Sequence, residues 1–264
     1  MKKRITMYYG SQNDQFGELS LPEKGNREKI PVVVSIHGGF WKDKYDLSDF
    51  FSLDQQLVDS GLATWNIEYR RVGNSGGGSP RPFEDVSLAI NYLITIANEY
   101  SLNLKKVVVI GHSAGGHLAL WTASRYEHKP DELGVPIKIK FSGVVSMAGV
   151  SDLQAMWSDQ QNTEMADTVS NFMGGTPEEQ LRRYRLASPI ELLPLGVKTI
   201  LVHGDSDTKV PIEMSEAYNS RAHANGDDVQ LIEIPDATHF ELTDENSQAW
   251  QTTKEAILQI INHR

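Results

Sequence analysis

Six short runs of the chain are almost uninterruptedly apolar and rich in β-branched residues. They are PVVVSI at 31–36, LATWNIEY at 62–69, KVVVIG at 106–111, FSGVVSMAG at 141–149, KTILVHG at 198–204 and VQLIEIP at 229–235. Continuous rather than alternating apolar strands predict burial on both faces of a sheet. Between them lie segments whose apolar residues recur at helical spacing: LSDFFSLDQQLVDSG, FEDVSLAINYLITIANEYS, AGGHLALWTASRY, IEMSEAYNSRAHANG and ENSQAWQTTKEAILQIINHR. This alternation predicts an α/β fold with a mostly parallel central sheet and helices on both faces. ITMYYG and GELSL near the start predict an antiparallel edge hairpin. Gly61 and Gly226 are placed to end helices, and Asp244 to cap the last one.

Two stretches break the rhythm. GNSGGGSPRP at 73–82 has the composition of a turn-rich loop, and residues 150–195 carry short helical pieces without a strand. The second stretch is expected to form a small lid within one domain covering 1–264, a length that fits a single α/β domain.

Composition narrows the function. With 25 basic and 35 acidic side chains the formal net charge is -10, which disfavours a nucleic-acid surface or an anionic membrane as partner. The absence of cysteine excludes disulfides, thiolate metal sites and a cysteine nucleophile. MKKRITMYYGSQ has no apolar segment of signal-peptide length behind its basic start, and no run approaches the roughly 18 apolar residues of a membrane span. A cytoplasmic location is expected.

Chemistry concentrates around one serine. Gly111-His112-Ser113-Ala114-Gly115 fits G-x-S-x-G between a strand and a helix, the setting in which a serine sits exposed on a sharp turn. Gly73-Asn74-Ser75-Gly76-Gly77 fits the same expression but is followed by GSPRP rather than a helix, so Ser75 reads as a loop residue. A phosphate-binding turn is excluded, because the glycines are followed by neither Lys-Ser/Thr nor the G-x-G-x-x-G spacing.

A serine hydroxyl is protonated at neutral pH and needs an imidazole, itself oriented by a carboxylate. GDSDTKVP follows a strand and offers Asp205 and Asp207. Asp207 is preferred as the acid because Asp205, next to Gly204, is suited to shaping the turn. His239 lies between the last strand and the last helix, where the base is needed. The other histidines have blander readings: His112 points the wrong way from the serine, His117 is inside a helix, His203 ends a strand, and His128, His223 and His263 are exposed. His37-Gly38-Gly39-Phe40-Trp41 follows the first long strand, and its glycines permit close approach of backbone N–H groups to a substrate carbonyl.

These residues resemble the α/β-hydrolase superfamily over nearly the whole chain. HGGFW is similar to the HGG motif of hormone-sensitive-lipase-like esterases, GHSAGGHLA to the serine turn, and GDSDTKVP and DATHF to the acid and histidine loops. HGG-x-W also resembles the motif of arylformamidases, and IEYRR a structural segment of both, so Arg70 and Arg71 are assigned no substrate. The resemblance implies an α/β-hydrolase fold, a Ser113–Asp207–His239 triad, and an oxyanion hole formed by backbone N–H groups of Gly38, Gly39, Phe40 and Ala114. Trp41, Trp157 and Phe240, with Phe40, are the aromatic candidates for a substrate pocket.

The implied activity is hydrolysis of a small carboxylic ester through an acyl-enzyme. Arylformamidase or related small-amide hydrolysis is the alternative, and noncatalytic ligand binding on the same fold a third reading. No metal or organic cofactor is required. The expected partner is a small ester or amide; a homodimer is admitted, and neither nucleic acid nor membrane is expected.

Overall fold

A computed structural model describes residues 4–23, 29–126 and 133–263. Eight strands, β1 (Ile5–Tyr8), β2 (Phe16–Ser20), β3 (Ile30–Ile36), β4 (Ala63–Ile67), β5 (Leu102–His112), β6 (Gly143–Met147), β7 (Thr199–Gly204) and β8 (Val229–Ile234), form one sheet in the order β1-β2-β4-β3-β5-β6-β7-β8. The β1–β2 and β2–β4 pairs are antiparallel and every pair from β4 to β8 is parallel. The N-terminal hairpin therefore closes one edge of an otherwise parallel, doubly covered sheet, as the apolar pattern predicts.

Alternate side chains of the same strands feed two cores. Val32, Val34, Val107, Val109, Val144 and Leu201 enter one, while Val33, Val108, Ile110, Val145, Ile200 and Val202 enter the other. This is the period of two that a strand imposes, with both faces apolar because helices cover both. Helices α2 (Arg81–Ile96), α3 (Ala114–Ala123) and α7 (Glu213–Ala224) pack on the first face, and α1 (Phe51–Asp59) and α8 (Gln248–Asn262) on the second. Burying each such aliphatic side chain contributes about 1.5–3 kcal/mol.

Gly61 and Gly226 stand just past α1 and α7 at φ 90° and 83°, the left-handed conformation that ends a helix without a Cβ penalty. The expected cap of α8 is corrected: Ser247 accepts from the Trp250 N–H, whereas Asp244 accepts from the Asn246 N–H one turn earlier. Residues 150–195 hold α4 (Leu153–Gln160), α5 (Thr168–Met173), α6 (Leu181–Ala187) and a 3-10 turn, with no strand. Met156, Val169, Phe172, Met173 and Tyr184 from this stretch are packed into the first core. No helix among the described residues is long and apolar enough to cross a membrane.

Candidate active site

The serine turn is built from close backbone contacts. Ser113 has φ 56° and ψ -118°, a strained conformation for a residue with a Cβ, worth about 1–3 kcal/mol. Its N–H donates to the Met147 carbonyl and its carbonyl accepts from the His117 N–H, which pins the turn between β6 and the first turn of α3. The flanking glycines are dictated by space. A Cβ on Gly111 would lie 2.2 Å from the Gly115 carbonyl oxygen, and one on Gly115 would lie 2.0 Å from the Ile36 carbonyl oxygen. Ala114 opens α3, so its N–H has no acceptor within the helix and is directed out of its N-terminus.

The turn after β3 approaches the same point. A Cβ on Gly38 would sit 3.3 Å from Ser113 Cβ and 2.8 Å from the His112 carbonyl oxygen, so Gly38 borders the serine turn directly. Gly39, Phe40 and Trp41 all have positive φ, at 95°, 56° and 56°, and the Lys42 N–H closes the turn on the Gly39 carbonyl at 2.9 Å. Beneath it lies a buried polar lattice. His37 Nε2 is 2.8 Å from Glu68 Oε1, Arg71 Nη1 is 3.1 Å from the same oxygen, and the Tyr69 hydroxyl donates to the His37 carbonyl at 3.0 Å. Arg71 also donates to the Tyr45 carbonyl. Arg70 is held by Asp85 at 2.8 Å and 2.6 Å, so both arginines of the YRR segment are structural.

The acid and histidine loops are stitched to each other. Asp207 Oδ2 is 2.6 Å from His239 Nδ1 and 3.4 Å from His203 Nε2, while Oδ1 accepts from the Lys209 and Val210 N–H groups. Burial pushes the Asp207 carboxyl upward, but the hydrogen bonds from His203 and His239, the His239 charge and the Val210 N–H outweigh it and hold the group well below the carboxylate range. Asp205 turns away: it is exposed, and its Oδ1 accepts the Asp236 N–H at 2.7 Å, tying the acid loop to the histidine loop. His239 begins a 3-10 turn (His239–Thr243) fixed by a reciprocal Thr238–Glu241 capping box.

These elements meet at a cleft of about 190 Å³ lined by Gly39, Phe40, Tyr45, Asp49, His112, Ser113, His239, Phe240 and Thr243. The two expected catalytic groups from distant loops, Ser113 and His239, thus share one wall, with two of the expected oxyanion-turn residues beside them. Three lining residues, Tyr45, Asp49 and Thr243, lie outside every motif in the sequence, and a fourth, His112, lies inside the serine motif, which assigns it no part in the site. The bland reading of His112 is corrected. Its Nε2 lies 3.0 Å from the His239 carbonyl and its ring 4.4 Å from the His239 ring. Burial and the neighbouring His239 lower its pKa to about 3, so it is neutral and donates from Nε2.

Two aromatic assignments are also corrected. Trp41 is 1% exposed, stacks on Phe172 at 4.3 Å and donates from Nε1 to His117 Nδ1, so it is a core side chain rather than a pocket wall. Trp157 packs against the first core and does not reach the cleft. Phe240 does line it and is 62% exposed. His203 and His117 are buried and hydrogen-bonded on both ring nitrogens, and His223 and His263 are exposed. His128 lies outside the described residues.

The fold is that of the α/β-hydrolases, and a family model describes the chain more narrowly: residues 18–221 match BD-FAE. The chain belongs to the BD-FAE family. It is 27% identical over 251 residues to esterase LipC of Mycobacterium tuberculosis, covering 91% of this chain and 60% of that protein. It is 24% identical over 246 residues to a kynurenine formamidase of Danio rerio, covering 90% of this chain and 76% of that protein. A truncated carbohydrate esterase from gut microbiota superposes with a TM-score of 0.84 at 20% identity, covering 99% of this chain and 97% of that one. The chain spans little more than half the length of several of the curated relatives it matches, 60% for LipC and 57% for an isoprenylcysteine α-carbonyl methylesterase of Arabidopsis thaliana.

Proposed function

We propose that the protein is a serine hydrolase that cleaves a small carboxylic ester through an acyl-enzyme. The observation that carries this reading is the meeting of Ser113, on its strained turn, and His239, 2.6 Å from Asp207, on the wall of one small cleft. In this reading Ser113 Oγ attacks the ester carbonyl while His239 Nε2 takes its proton. Asp207 holds the Nδ1–H and balances the imidazolium that forms. The proton then passes to the departing alkoxide, and a water repeats the sequence to release the acid. The oxyanion is met by the Ala114 N–H and by N–H groups of the Gly38–Phe40 turn, each worth about 3 kcal/mol in the transition state. None of these steps draws on a metal or an organic cofactor.

The similarity to esterases supports the ester, and the similarity to a kynurenine formamidase over three-quarters of its length supports a second reading, hydrolysis of an aryl formamide by the same residues. The two differ in leaving group, an alkoxide or an amine, and the same His239 would protonate either. A single domain acting in the cytoplasm accords with the common core and the cysteine-free sequence.

The test is a comparison of kcat/KM for short-chain p-nitrophenyl esters and N-formylkynurenine, with Ser113→Ala as control. Ester turnover that vanishes in Ser113→Ala, with thermal unfolding unchanged, is the expected result. A strong preference for the formamide moves the assignment to the second reading, and full activity in the variant removes Ser113 as nucleophile.

A further inference from the structure

One side chain on the cleft wall has no part in the proposed hydrolysis. Asp49 sits on the 3-10 turn Leu47–Phe50, its N–H bonded to the Asp46 carbonyl, and its carboxylate makes no hydrogen bond or ion pair among the described residues. Burial raises its pKa; His37 opposes the rise, while Asp46 and Glu68 add to it. Asp49 is exposed at the mouth of the cleft, and a carboxylate there without a partner attracts a cationic ligand and repels an anionic one.

Three aromatic rings line the same cleft. Phe40 and Tyr45 are tilted at 59° with centroids 6.4 Å apart, and Phe240 stands edge-on to the His239 ring at 5.4 Å. Aromatic faces attract cations, most strongly where water is partly excluded, and the exposed Lys44 ammonium already lies 5.7 Å from the Tyr45 centroid. The net charge of -10 also favours the approach of cations.

We propose that the cleft selects substrates carrying an alkylammonium group, which the Asp49 carboxylate and the faces of Phe40, Tyr45 and Phe240 receive while the ester carbonyl lies at Ser113. The inference rests on the hydrolase reading for its chemistry but not for its binding. Lys44 is the cation a ligand displaces from the Tyr45 face, so removing its charge strengthens the selection.

The experiment compares acetylcholine with its uncharged isostere 3,3-dimethylbutyl acetate, using p-nitrophenyl acetate as the reference ester. The wild-type ratio of kcat/KM is expected to favour acetylcholine by about tenfold. Asp49→Asn and, at an exposed position, Phe240→Leu bring that ratio toward unity, and Lys44→Gln raises it. A wild-type preference for the neutral ester, or a ratio unmoved by both Asp49→Asn and Phe240→Leu, overturns the proposal while leaving the esterase reading intact. If no ester is hydrolysed, the ester reading fails by itself, and calorimetric titration with tetramethylammonium decides the inference. Binding weakened in Asp49→Asn sustains it, and no binding to the wild type refutes it.

Discussion

At the scale of single residues the site is a chain of oriented protons. Asp207 accepts from His239 Nδ1 and two backbone N–H groups, so Asp207→Asn keeps the shape but presents an amide that can leave His239 in the wrong tautomer. A fall in kcat of about 10³–10⁴-fold with KM little changed is expected in steady-state kinetics. His112 holds the His239 backbone from the other side and stays neutral beside the ring that becomes charged in the proposed reaction. His112→Leu is expected to lower kcat about tenfold, the loss of one net hydrogen bond, and His112→Gln to recover part of it because its amide still donates. Equal losses in the two variants would mean that packing, not the hydrogen bond, is what His112 supplies. That Ser113, Asp207 and His239 come together was legible because each follows a strand in the required order. His112, Asp49 and Tyr45 were not, since their place in the cleft depends on how the 37–50 segment folds back over the serine turn. Trp41 was misread for the opposite reason: it sits inside a motif, yet positive φ values at Phe40 and Trp41 turn its ring into the core.

At the scale of elements, glycine positions separate space from conformation. A Cβ at Gly115 would strike the Ile36 backbone at 2.0 Å, whereas one at Gly61 meets nothing within 4 Å and suffers only from φ 90°. Gly115→Ala is therefore expected to destabilise by about 3 kcal/mol or more, as backbone must move. Gly61→Ala is expected to lose about 1 kcal/mol. Urea denaturation of both variants measures the difference, and similar losses would show that α3 can shift away from β3 at little cost. Strand and helix order was readable because the parallel strands are apolar on both faces and the helices between them are amphipathic. The start of α8 was not: Asp244 and Ser247 are both good caps, and the choice is made by the 3-10 turn that holds His239, since Asp244 closes that turn and leaves Ser247 to open the helix. The 150–195 stretch was readable as short helices, but which surface they cover is set by where Phe172 finds the Trp41 ring, a contact between distant segments that no local pattern encodes.

At the scale of the whole molecule, one buried acid links folding to pH. Asp54 on α1 faces the polar side chains that β3 and β4 direct to that surface, and Ser35 Oγ donates to its Oδ1 at 2.6 Å. Desolvation raises its pKa to about 7, against the hydrogen bonds from Ser35 and Asn66, whereas an unfolded chain gives Asp about 3.9. Between these values the folded state keeps a proton that the unfolded state releases. Stability from this group is therefore fully present below about pH 4 and is lost as pH rises through about 7. Three pKa units set an upper limit of about 4 kcal/mol, reduced by whatever relaxation lets water reach the carboxylate. Asp46 and Asp207, whose carboxyls are held low, act with the opposite sign only in more acid solution, whereas buried His112 and His117, with pKa values lowered to about 3 and about 4, act with the opposite sign up to about pH 6.5, so the trend is read from a variant against wild type. Asp54→Asn keeps a hydrogen-bonding side chain of the same shape without the titration. Its stability relative to wild type, from denaturant unfolding between about pH 5 and pH 8, is expected to rise up to about pH 7, while folded wild type keeps the proton its unfolded chain has lost, and to level off above that once the buried acid ionises. A difference that stays constant over that interval would mean that Asp54 is already charged in the fold at pH 5, with its burial compensated by Ser35, Asn66 and solvent. In that case α1 is held to the sheet by an ionised rather than a neutral acid.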